Sequence, residues 1–255
     1  MEFVNYFKSF FYISYNLAKT SFKLKNEGSY LGILWYLFNP LFMFFILYAI
    51  FYDRLGYAIN NYVIYLFLGV VLFNLFQSVT LDSSKIFILN ANLLKAINFK
   101  SQTLVLSIVI RTFFSHLFEF GLLFFLILFF GELQFSLMLY FPFLFIYLIF
   151  VYGFSLILAS INVYFVDLEN IWSFFVRILF FATPIFYAIE GQSRLMIINY
   201  FNPVYYFINL FREVLIYNRL PELFVIVGCF SFAIFFLFLG NFIFNKLNKK
   251  MNEMI

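Results

Sequence analysis

Long apolar stretches without a single charge constrain this chain more than any other feature. Phe141–Leu158 holds no charged side chain, and Leu122–Phe130 is solidly apolar. An α-helix rises about 1.5 Å per residue, so about 20 such residues cross the roughly 30 Å hydrocarbon layer of a bilayer. Inside that layer every backbone N–H and C=O must be satisfied within the protein, which only helices and closed barrels achieve. A barrel would alternate over short segments of about 10 residues. These runs do not alternate. Charged residues make up 11% of the chain and hydrophobic residues 65%, where a soluble domain carries about 25% charge. The expectation is an all-α integral membrane protein.

Six apolar segments are predicted to cross, at about 30–52, 62–81, 103–130, 136–165, 170–189 and 222–244. The third and fourth exceed a minimal span, which predicts tilt or extension past the lipid. Ahead of them, Phe3, Val4, Phe7, Phe10, Phe11, Leu17, Ala18 and Phe22 recur at helical spacing, with Lys8, Asn16, Lys19 and Lys23 between. This predicts an amphipathic helix within residues 1–29, lying in the headgroup plane. Residues 30–246 would form the transmembrane domain and 247–255 a tail. Between spans five and six, residues 190–221 carry Glu190, Arg194, Arg212, Glu213 and Arg219 with two prolines. Two short outer-face helices are expected there, one of them amphipathic over Tyr205–Ile216.

Orientation follows the distribution of Lys and Arg in short loops. Lys8, Lys19, Lys23 and Lys25 precede the first span, Lys85, Lys95 and Lys100 lie in the loop at 82–102, and Lys246, Lys249 and Lys250 follow the last span. The alternate loops hold Arg54, Arg194, Arg212 and Arg219. Both termini and the 82–102 loop are therefore expected in the cytoplasm. The N-terminus lacks the pattern of a removable signal peptide. The chain has 46 Phe against 2 Trp, which reads as compositional bias with most Phe as lipid-facing filler.

Chemistry-bearing residues are few. The single cysteine, Cys229, and the single histidine, His116, offer no disulfide and no metal site. No phosphate-binding G-x-x-x-x-G-K-[ST] motif occurs. Arg111, His116 and Glu119 fall within the third span, where ionisable groups face the bundle interior or water. His116 and Glu119 share a helical face. They form either a mutually satisfied polar patch or a proton relay, with Arg177 of span five as a partner for Glu119. Pro184 should interrupt the helix near the outer end of span five.

Three motifs carry a resemblance. Gly28–Pro40 reads GSYLGILWYLFNP, just after Lys25; Asn90–Phe99 reads NANLLKAINF; Ala182–Tyr187 reads ATPIFY, followed by Asn202–Pro203 and Arg212. In this order they resemble the ABC-2 type permeases that export O-antigen, capsule and teichoic-acid polymers. Asp167 resembles an Arg-Asp pair of that family, with Val166 in the arginine's place. The resemblance implies a non-enzymatic transport subunit, without cofactors of its own, in the bacterial cytoplasmic membrane. It implies a homodimer working with two copies of a separate ATPase that binds ATP and Mg, with no nucleic-acid partner. The cargo would be a polyprenyl-pyrophosphate-linked polysaccharide or a teichoic acid. Lys19, Lys23, Lys25, Gly28 and Trp35 would form a substrate entrance. Asn92, Leu93, Leu94, Lys95 and Ile97 would couple to the ATPase, with Leu93, Leu94 and Ile97 making one apolar face. Pro184, Tyr187, Pro203 and Arg212 would form an outer gate. The alternatives are an ABC-2 exporter of small hydrophobic compounds and a proton-coupled secondary transporter.

Overall fold

The computed structural model describes residues 2–27, 30–97, 99–130, 135–189 and 193–254, which are helical almost throughout, with no strand among them. Helix α1 (Glu2–Asn26) lays the small residues Ser14 and Ala18 against the bundle and leaves Lys8, Lys19 and Lys23 exposed. Gly28 of the expected entrance lies outside the described residues. Gly32, at φ 44°, adopts a left-handed conformation that a Cβ would strain. That turn feeds a short 3-10 segment, Gly32–Leu34, and then α2 (Trp35–Phe51), which one π turn extends to Gly56. There follow α3 (Tyr62–Ser84), the small helices α4 (Ile86–Leu89) and α5 (Ala91–Ala96), and the long α6 (Gln102–Phe130). The second half comprises α7 (Tyr140–Asn162), α8 (Leu168–Ala182), α9 (Ser193–Tyr200), α10 (Pro203–Leu215) and α11 (Leu223–Met254).

Five of these helical segments are long and apolar enough to cross a membrane: Trp35–Gly56, Tyr62–Ser84, Gln102–Phe130, Leu137–Asn162 and Leu223–Leu247. The remaining predicted span differs. Helix α8 has 15 residues, about 22 Å of rise, short of the roughly 30 Å layer. The cause is local. A residue before proline is steered out of the helical region, and Thr183, before Pro184, is extended at ψ 134°. The segment predicted as span five is thus a short helix followed by bent, non-helical chain. At the other end, α11 continues unbroken through the segment read as a tail.

Helix α3 is the axis of the bundle. It packs against α2, α6, α7, α8 and α10, and Leu66, Phe67, Leu68, Val71, Leu72 and Phe73 are wholly buried. A helical stretch apolar on every side, as α3 is from Leu66 to Phe73, belongs in an interior. Its Phe76 stacks on Phe150 of α7 at 6.0 Å, and Phe150 on Phe207 of α10 at 5.1 Å. A minority of the phenylalanines thus belong to the core rather than to the lipid-facing surface. Phe67, Phe73, Phe76, Phe150, Phe207 and Phe211 are core residues, while Phe42, Phe45, Phe174 and Phe238 face outward. Composition cannot separate the two groups, because lipid and a packed interior are equally apolar.

A close helix crossing joins α7 and α11 through two glycines. A Cβ on Gly153 would lie 2.5 Å from the Phe236 carbonyl and the Leu237 nitrogen, and one on Gly240 would strike the Gly153 carbonyl. In lipid there is no hydrophobic force between helices, so such backbone approach supplies the association through van der Waals contact. Gly153→Ala should force the helices apart, at about 1–3 kcal/mol. Gly121→Ala, with nothing within 4 Å, should be neutral. Thermal unfolding in detergent checks the pair; equal melting temperatures would refute the crossing.

Candidate functional site

A polar cleft of 330 Å³ opens between α2, α3 and α6. Helix α3 contributes Asn74, Ser78 and Asp82, four residues apart and so on one face. Opposite them stand Arg111, Ser115, His116 and Glu119 of α6, and α2 adds Tyr36 and Asn39. Arg111 pairs with Asp82. Asn74 donates to Glu119 Oε1 at 2.8 Å, while His116 Nδ1 lies 3.0 Å from Glu119 Oε2 and His116 Nε2 lies 2.7 Å from the Tyr140 hydroxyl. With Nδ1–H donating to the carboxylate and Nε2 accepting from Tyr140, each contact has a donor and an acceptor. This matters in a membrane protein, where an orphaned buried polar group costs about 1–3 kcal/mol. Arg177 is not part of that chain. It lines a neighbouring pocket of 290 Å³ that shares Asn39, Pro40 and Asn74 with the cleft and adds Gln77. The two cavities adjoin along α3, the first polar and the second mostly apolar, with Met43, Val70, Phe73, Phe180 and Phe181 in its walls.

The expected entrance residues divide. Lys25 and Trp35 line the cleft together with Gly32, and Lys25 sits over the Tyr36 ring, 5.7 Å from its centroid. Lys19 and Lys23 are not in the lining; Lys23 pairs with Glu27 at 3.4 Å on the surface.

Around Pro184 the structure brings three of the four expected gate residues together. After Ala182 the chain leaves the helix and bends through residues 185–187, so its carbonyls have no helical partners, and side chains from elsewhere meet them. Arg212 of α10, 1% exposed, donates to the Pro184 carbonyl at 2.7 Å and the Ile185 carbonyl at 3.0 Å. The Tyr62 hydroxyl donates to the Phe186 carbonyl and the Tyr65 hydroxyl to the Tyr187 carbonyl, both at 2.9 Å. The guanidinium lies 3.4 Å from the Tyr65 ring centroid. Gly69 makes room for it, since a Cβ there would fall 2.9 Å from an Arg212 nitrogen. Pro203 takes the first turn of α10, after Asn202, whose side chain accepts from the Val204 N–H at 3.1 Å and donates to Thr183 Oγ1 at 2.9 Å. Arg212 is therefore an interior residue, not a loop charge, and the loop charges stand at ten against three.

In the α4–α5 loop, Leu93 and Leu94 turn inward and pack on a small cluster that includes Phe87, Leu104, Val105 and Phe244. Asn92, Lys95 and Ile97 are exposed, as are Ile88 and Leu89. The predicted single apolar face of Leu93, Leu94 and Ile97 is thus divided. The outward apolar residues are Ile88, Leu89 and Ile97. Nearby, Lys85 at the end of α3 reaches Glu169 of α8 at 2.9 Å. That hydrogen bond raises the Lys85 ammonium above the ordinary lysine pKa.

Sequence reasoning missed Asn74, Ser78 and Asp82, and took Asp82 for the start of a loop. A signal existed: polar residues every fourth position along an apolar span mark an inward face. Tyr62, Tyr65 and Tyr140 gave none, because their value lies in partners over a hundred residues away or on another helix.

Several membrane-crossing helices around a hydrogen-bonded, ionisable cleft define a multi-pass membrane protein of the transport class. The profile of the ABC-2 type transporter family matches residues 15–216, and the chain belongs to that family. It is 28% identical over 243 residues to an O-antigen export system permease protein RfbA of Klebsiella pneumoniae, covering 94% of this chain and 93% of that one. It is 25% identical over 244 residues to the RfbA permease of Myxococcus xanthus, covering 94% of each chain.

Proposed function

We propose that this chain is the permease subunit of an ABC exporter that moves a polyprenyl-pyrophosphate-linked polysaccharide, or a teichoic acid, across the bacterial cytoplasmic membrane. The observation that carries the reading is the polar cleft against α3 on helices that also bear outward aromatic side chains. Trp35 lines the cleft and Phe181 the adjoining cavity, and both are exposed, as are Phe42 and Phe45 of α2 and Phe174 and Phe175 of α8. Amide and hydroxyl groups suit sugar hydroxyls, and aromatic faces let a sugar chain slide without fixed bonds. The names of the two relatives support the same cargo.

In this reading α8 and the non-helical segment after it make the sixth crossing, with both termini and the α4–α5 loop in the cytoplasm. Two copies face each other across α2 and α8, forming a homodimer. Two copies of a separate ATPase, which bind ATP and Mg, dock at the α4–α5 loop through Leu89, Asn92, Lys95 and Ile97. Lys25 and Trp35 flank the cytoplasmic mouth, where the lysine attracts the anionic pyrophosphate. Lys19 and Lys23 hold α1 on anionic headgroups, each charge being worth about 1 kcal/mol near such a surface. Pro184, Tyr187, Pro203 and Arg212 frame the outer gate. The fully partnered His116–Glu119 pair acts as structural polar packing.

The test is a cell lacking the protein. A polyprenyl-linked polymer should build up on the cytoplasmic side and clear when the wild-type gene is restored. Accumulation of a small hydrophobic compound instead, or export that continues without any ATPase partner, would overturn the reading.

A further inference from the structure

On a different side of the bundle from the polar cleft lies a larger groove of 770 Å³ between α6 and α7. Its walls are apolar: Leu106, Ile110 and Phe113 of α6 face Phe145, Leu148 and Ile149 of α7. The character changes at one end only. There Lys100, Gln102 and Asn241 line it, and Gln102 donates to Asn241 at 3.0 Å. Phe10 and Phe11 of α1 also border the groove, so a helix expected at headgroup level contributes to it. Along α6 the lining runs from Gln102 to Phe113, about 17 Å of helix rise, close to the depth of one leaflet of a roughly 30 Å hydrocarbon layer.

We infer that this groove holds one anionic phospholipid of the leaflet next to the α4–α5 loop. An acyl chain lies between α6 and α7, and the phosphate meets the Lys100 ammonium and the Gln102 amide. The groove has a single cationic end and a length matched to one acyl chain, which favours a phospholipid over a polyprenyl carrier many times longer. A bound lipid fills the space that the groove leaves between α6 and α7, so it acts as part of the packing. The site is independent of the export cargo and of the polar cleft.

The test is native mass spectrometry of the full-length protein, released from vesicles of equal parts phosphatidylglycerol and phosphatidylcholine. The wild type should retain one lipid and prefer phosphatidylglycerol by about five-fold, the Boltzmann factor for one charge near a lipid surface. Lys100→Gln, a surface change, should erase the preference while leaving the helical content intact. Ile110→Trp, which fills the groove, should reduce retention of both lipids. Equal retention of the two lipids by the wild type would overturn the assignment. So would a phosphatidylglycerol preference untouched by Lys100→Gln, or displacement of the phospholipid by an equimolar polyprenyl phosphate.

Discussion

Arg212→Met is expected to lower the melting temperature of the detergent-solubilised protein by about 5–15 °C. The figure follows from two orphaned carbonyls, Pro184 and Ile185, at about 1–3 kcal/mol each and a few degrees per kcal/mol for a chain of this size. The guanidinium is buried, and among the described residues it has no carboxylate partner. Its charge is balanced by backbone oxygens and by the Tyr65 ring face, an arrangement that uses its planar, multi-donor shape. Arg212→Lys should recover only part of the loss, because an ammonium is a point donor and cannot span the same carbonyls. Differential scanning fluorimetry measures both variants. Wild-type melting of Arg212→Met would mean that the non-helical segment does not depend on this clamp.

Leu89→Asp combined with Ile97→Asp is expected to reduce export at least ten-fold at normal membrane levels of the permease. Both side chains are exposed, so the charges burden no core. On an apolar dock they would strand two carboxylates against a partner surface, a penalty that easily exceeds the 1.4 kcal/mol of a ten-fold effect. Leu93→Asp with Leu94→Asp behaves differently, since those residues pack on the protein's own cluster. That variant should lose membrane level first. The readouts are co-purification of the ATPase and permease abundance. Unimpaired export by the Leu89/Ile97 pair would remove the α4–α5 loop from the coupling interface.

Much of the fold was legible because unsatisfied polar groups are so costly in lipid, and the length of an apolar run reports that cost directly. The spans now seen as Tyr62–Ser84 and Gln102–Phe130 lie close to their expected bounds. Span five shows where that reasoning stops. Hydropathy counts Ala182–Tyr187 as apolar and continues the helix, while Pro184 ends it at Ala182. The broken backbone is tolerable only because Tyr62, Tyr65 and Arg212 converge on it, and no local pattern announces a partnership over such sequence distances. The site was legible in its ionisable members and not in its pairings. Sequence offered Arg177 to Glu119; the bundle supplied Asn74 instead, and gave Arg111 to Asp82. Helix faces can be read from spacing, but which faces meet is decided by packing of the whole bundle.

The glycine crossing of α7 and α11 bears on the order in which the molecule is completed. Chains are made from the N-terminus, and regions emerging first fold first. Gly153 leaves the ribosome well before Gly240, so α7 waits in the lipid with a bare notch in its flank. A lipid tail cannot mimic the backbone that later presses to within 2.5 Å of the position of a Cβ on Gly153. The bundle therefore has a latch that closes late, because α7 gains this contact only once α11 has been made.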